Sequence, residues 1–63
     1  MVTEANIIDI NSKYENQNSE TRVWKYGDRY FICYNAQSDM DDISEITEDR
    51  VKRLAQSLNI PVA

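Results

Sequence analysis

The chain contains no histidine, one glycine, one proline and one cysteine, and each scarcity removes a class of chemistry. Without histidine, neither a Ser-His-Asp nor a Cys-His arrangement can be assembled, and the commonest general base is missing. A single glycine, Gly27, cannot furnish a phosphate-binding P-loop or a dinucleotide-binding turn. Cys33 is alone, so no disulfide forms within a monomer, and a structural zinc site lacks its ligands. No apolar run approaches the roughly 18 residues of a membrane span. The opening MVTEANIIDIN has neither the basic n-region nor the long apolar h-region of a secretory signal, and a lone thiol in an apolar segment suits a reducing compartment. These absences lead to the expectation of a cytoplasmic, non-enzymatic protein with no cofactor, no metal and no membrane partner.

What is present is short and unevenly charged. A chain of 63 residues makes one domain, 1–63, and domains of this size bury only about 60% of their unfolded surface, which leaves a marginal core. With disulfide and zinc excluded, association with another chain is the remaining support. The net charge of −4 hides a segregation. Residues 1–21 carry Glu4, Asp9, Glu15 and Glu20 against Lys13; residues 22–35 carry Arg22, Lys25 and Arg29 against Asp28. Residues 36–49 then hold Asp39, Asp41, Asp42, Glu45, Glu48 and Asp49 with no base, and residues 50–63 hold Arg50, Lys52 and Arg53 with no acid.

The segment ANIIDI, Ala5 to Ile10, is rich in β-branched residues and reads as a first strand, followed by the polar stretch SKYENQNSE as a loop. The strongest local signal is VWKYGDRYFICY, two β-rich runs separated by Gly27-Asp28, a pair suited to a tight type I′ or II′ turn. A two-residue turn opposes Tyr26 to Arg29, Lys25 to Tyr30, Trp24 to Phe31, Val23 to Ile32, Arg22 to Cys33 and Thr21 to Tyr34. Opposed residues share a face. Arg22, Trp24, Tyr26, Arg29, Phe31 and Cys33 then line one face, and Thr21, Val23, Lys25, Tyr30, Ile32 and Tyr34 the other. After the loop NAQSDMDD, Thr47 reads as an N-cap with Glu48 and Asp49 in the first helical turn. Val51, Leu54, Ala55 and Leu58 recur at helical spacing, and Asn59-Ile60-Pro61 is a stop. Ile43 to Ile46 fits either an extra helical turn or an extended segment. The expected fold is α+β: a three-stranded antiparallel sheet in β-β-β-α order with one C-terminal helix on one face.

Two smaller features have ordinary explanations. Asp39, Asp41 and Asp42 have a spacing that suits a hard cation, but a calcium loop needs glycine where this chain has Ser44. Carboxylates leading into a helix N-terminus are favourable without any metal. Cys33, beside Phe31 and Ile32, reads as a small buried hydrophobe rather than a nucleophile.

Five of the six aromatic residues lie between Trp24 and Tyr34, and both faces of the hairpin are apolar. A half-buried hairpin normally has one wet face, so the second face calls for a cover or a partner. Trp, Tyr and Arg are the types in which binding energy concentrates. The expected role is therefore a non-catalytic protein-interaction module, a small regulator, inhibitor or accessory subunit whose partner is another protein or its own copy as a homodimer. Its expected contact residues are Arg22, Trp24, Tyr26, Arg29 and Phe31. Two alternatives use the same residues differently. The Arg and aromatic face also suits single-stranded nucleic acid, although three basic residues on an acidic chain disfavour it. An acidic patch of Asp39, Asp41, Asp42 and Glu45 would instead imitate a nucleic-acid phosphate track and inhibit a host enzyme, as small phage-encoded proteins do.

Overall fold

A computed structural model describes residues 1–34 and 43–62. In chain order the elements are helix α1 (Glu4–Asn16), strands β1 (Arg22–Tyr26), β2 (Arg29–Cys33) and β3 (Ile43–Ile46), and helix α2 (Glu48–Ser57). The three strands form one antiparallel sheet in the order β1-β2-β3. The α+β class, the three-stranded sheet and the C-terminal helix are those expected. The source of the third strand is not: Ala5 to Ile10 belongs to α1, and Ile43–Ile46 completes the sheet.

Helix α1 forms because its first turn is capped on both sides. Asn6 N–H donates to Thr3 Oγ1 at 3.2 Å while Thr3 N–H donates back to Asn6 Oδ1 at 2.9 Å, a reciprocal box that satisfies two otherwise orphaned donors. Ile7, Ile10 and Tyr14 then fall on one side at helical spacing and enter the core, which outweighs the β preference of the isoleucines. Both helices end the same way. Asn18 and Asn59 take positive φ of 57° and 61°, and Ser19 N–H reaches Tyr14 O at 2.9 Å as Ile60 N–H reaches Ala55 O at 2.8 Å. Asparagine fills the left-handed position that glycine usually takes in these Schellman closures. At the start of α2, Thr47 accepts from Arg50 N–H at 3.2 Å, with Glu48 and Asp49 in the first turn.

The hairpin has the expected register from Tyr26↔Arg29 back to Arg22↔Cys33; Thr21 and Tyr34 lie beyond the strands. Gly27 has φ +61° while Asp28 does not have positive φ, which is the type II′ pattern. That register sends Val23, Tyr30 and Ile32 to one face. They join Val2, Ile7, Ile10, Val51, Ala55, Leu58 and Ile60 in the core, with Tyr14, Ile46, Leu54 and Val62 packed around it. Both helices therefore cover the same side of the sheet. The Tyr30 hydroxyl leaves this core by donating to Glu48 Oε2 at 3.2 Å, and burial, then the carboxylate, holds its pKa above the usual 10.0.

The free edge of β1 is sealed. In this register Val23 directs its backbone groups away from β2, and Asn11 of α1 takes both: its Nδ2 donates to Val23 O at 2.9 Å, and Val23 N–H donates to its Oδ1 at 2.8 Å. Thr21 N–H donates to Ser19 Oγ at 3.1 Å, and Thr21 O accepts from Arg22 Nη1 at 2.7 Å. Asn11→Ala leaves a donor and an acceptor of Val23 without a protein partner, so it is expected to cost about 1–3 kcal/mol. Asn16→Ala, on the exposed end of the same helix, is expected to stay within about 0.5 kcal/mol. Urea titrations of the two variants check the difference.

Candidate functional site

The face of the sheet turned away from both helices carries Arg22, Trp24 and Tyr26 on β1, Arg29, Phe31 and Cys33 on β2, and, by the β2–β3 register, Ile43 and Glu45 on β3. All five expected contact residues thus share one surface. Trp24 and Phe31 are half-buried, whereas Tyr26 is 66% exposed. Trp24, Tyr26, Phe31 and Ile43 line a hollow of about 250 Å³. Four apolar side chains of this size would normally be fold interior; here neither helix lies against them.

The rings and charges around the hollow lie against one another. Tyr26 meets Phe31 edge to face, with centroids 5.9 Å apart and planes at 66°, a favoured aromatic geometry. The Arg29 guanidinium lies 5.3 Å from the Phe31 ring centre, and it donates to both carboxylate oxygens of Glu45, at 3.1 and 2.9 Å. Arg29 therefore lies over the ring with its fork held from the side. Arg22 is positioned differently: its Nη1 donates to the Ser19 and Thr21 carbonyls at 3.0 and 2.7 Å, so part of its donor capacity is spent on the chain itself. Cys33 is free and buried, the small-hydrophobe position read from the sequence.

Glu45 was expected within an acidic patch, but its carboxylate faces Arg29 on the aromatic side of the sheet. Asp39, Asp41 and Asp42 lie outside the described residues. Ile43 is the contributor that sequence reasoning left unassigned. Its role follows from alternation along β3, which was legible only once that segment was known to pair with β2. A second hollow, of about 260 Å³, lies between α1 and residues 59–61. Asp9, Ser12, Lys13 and Asn16 supply polar walls there, and none of the aromatic residues takes part.

Among the described residues no cluster of three or more His, Cys, Asp or Glu side chains is placed to hold a metal ion. Among the described residues no helix is long and apolar enough to cross a membrane. Compared with protein-family models, curated proteins and solved structures, the chain matches none.

The hydrogen bonds from Arg29, reinforced by its charge, hold the Glu45 carboxyl below its ordinary value of 4.5. A group whose pKa is lower in the folded state adds stability above its unfolded pKa and loses it as pH falls through the folded one. Glu45→Gln is therefore expected to flatten the decline of melting temperature below about pH 4.5. The change is small, because the two side chains are 62% and 51% exposed. Melting curves of wild type and variant across acid pH measure it.

Proposed function

We propose that this protein is a non-catalytic interaction module that binds another protein through the outer face of its sheet. The observation that carries this reading is the placement of Trp24, Tyr26, Phe31 and Ile43 around one hollow on the side opposite both helices. Apolar centre and charged rim, with Arg22, Arg29 and Glu45 at the margins, is the composition of a protein-binding patch. Edge-to-face packing and the Arg29–Glu45 pair hold the contact side chains before a partner arrives, which lowers the entropy lost on binding.

Size sets the class of contact. Three strands spaced about 4.8 Å apart, with five residues rising about 3.3 Å each, give a plane of about 15 by 17 Å. Even with side-chain relief this is well short of the roughly 800 Å² that each partner contributes to a standard interface. The face suits a transient regulatory contact, or one part of a larger assembly, as expected of a small regulator, inhibitor or accessory subunit. Single-stranded nucleic acid has less support, because Arg29 is engaged with Glu45 and Arg22 with backbone carbonyls.

Trp24→Ala separates contact from core. Ile32→Ala, in the sealed layer, is expected to cost about 2–5 kcal/mol. Trp24→Ala is expected to lower the melting temperature by no more than about 4–8 °C, corresponding to about 1 kcal/mol in a domain this small. In a pull-down with each protein as bait, a partner retained by wild type and lost with folded Trp24→Ala supports the reading. If Trp24→Ala melts like Ile32→Ala, or retains the same partner as wild type, the face is structural and the proposal fails.

A further inference from the structure

The hollow on the outer sheet face is lined by two side chains that carry a hydrogen-bond donor, the indole N–H of Trp24 and the hydroxyl of Tyr26. Among the described residues neither group makes a hydrogen bond, and no buried side-chain nitrogen or oxygen lacks a partner, so both donors are open to solvent. The nearby carboxylate is not free to accept from an occupant, because Glu45 holds the Arg29 fork through both its oxygens. Arg29 in turn lies over Phe31, and the charges of the pair offset each other. The hollow therefore selects an occupant that is apolar, uncharged and rich in exposed acceptors. Resting on the protein-binding reading above, we propose that this occupant is a proline-rich segment of another protein in the polyproline II conformation.

Such a segment matches the face in its backbone, its side chains and its stiffness. A polyproline II backbone makes no internal hydrogen bonds, so its carbonyls are free to accept from Trp24 and Tyr26. Proline has no N–H, and an occupant lying on a sheet face, away from the strand edges, finds no backbone acceptors there for a row of N–H groups. Trp24 and Tyr26 stand two residues apart on one face of β1, a rise of about 6.6 Å. That is close to the sum of two van der Waals contacts of about 3.5 Å each, which is room for one saturated ring. The preformed helix also loses little entropy on docking, as so small a contact requires. Other occupants fit less well. A folded partner or a second copy brings about 800 Å² to a standard interface, more than three short strands offer. An amphipathic helix uses its carbonyls within itself and leaves both donors unpaired.

The experiment uses the full chain and a labelled nonaproline peptide, followed by fluorescence anisotropy. A glycine-serine peptide of the same length and an amphipathic leucine-glutamine helix of about 15 residues are the comparisons. Nonaproline is expected to bind at least about tenfold more tightly than either. The chain has a single tryptophan, and its indole N–H resonance is expected to move downfield as it donates to a peptide carbonyl. Trp24→Phe keeps an aromatic wall and removes the donor, so it is expected to weaken nonaproline about three- to tenfold with the fold retained. Asn16→Ala, in the other hollow, is expected to leave the affinity unchanged. Absence of binding, equal affinity for the glycine-serine peptide, equal affinity of Trp24→Phe and wild type, or an indole resonance that stays in place overturns the proposal. A helical peptide that binds as tightly as nonaproline overturns it by assigning the face to a helix. A dimer seen by light scattering in wild type and lost in Trp24→Ala does so by assigning the face to a second copy. If Trp24→Phe does not fold, the indole resonance of wild type remains decisive. The pull-down with Trp24→Ala separates the two readings: a partner lost with that variant, while nonaproline fails to bind, leaves the protein-binding face standing and removes only its proline-rich occupant.

Discussion

The turn at Gly27-Asp28 is the constraint from which the remaining arrangement follows. Positive φ at Gly27 closes the hairpin with two residues, and a two-residue closure fixes the parity of both strands. One residue more or less would put Val23 on the same face as Phe31 and Trp24 on the same face as Tyr30 and Ile32, so neither face would keep the composition it has here. Parity also decides which backbone groups of β1 face outward, and so which of them Asn11 can reach. The single glycine of the chain stands where all of this is set.

Much of that was readable from residues alone. Gly-Asp between two β-rich runs gave the hairpin register pair by pair, and the separation of Trp24 and Phe31 from Val23 and Ile32 followed from it. Helix α2 was legible from Thr47 at its start, the Val51 to Leu58 spacing along it and Asn59 at its end. Helix α1 was misread because three isoleucines in four positions, Ile7, Ile8 and Ile10, match strand propensity. Ile8 is 65% exposed, so only Ile7 and Ile10 belong to the pattern that matters. The Thr3–Asn6 pair and the spacing of Ile7, Ile10 and Tyr14 contained the helical signal, with asparagine in place of the more familiar Glu or Gln of a capping box. Strand β3 is ambiguous in the sequence because four residues cannot display a period; its pairing depends on β2, which no local signal records. The side of the hairpin that the helices cover was equally hidden, since both sides are apolar enough to serve.

The charge pattern acquires a spatial meaning once β3 is known. Glu45 projects to the aromatic face and Glu48 is drawn to Tyr30 and Lys52, so adjacent members of one acidic run serve opposite layers of the fold. Alternation along β3, followed at once by α2, separates Glu45 from Glu48.

The side chain that seals β1 belongs to a different element from the strand it protects. Asn11 guards the edge only while α1 is docked, and α1 is held by Val2, Ile7 and Ile10 in the core and by the Asn6 Nδ2 bond to Pro61 O. Detachment of that one helix would at once uncover Val23 and free its backbone groups for pairing with a foreign strand. Exposure of the β1 edge is therefore tied to the docking of the N-terminal helix as well as to the strand itself.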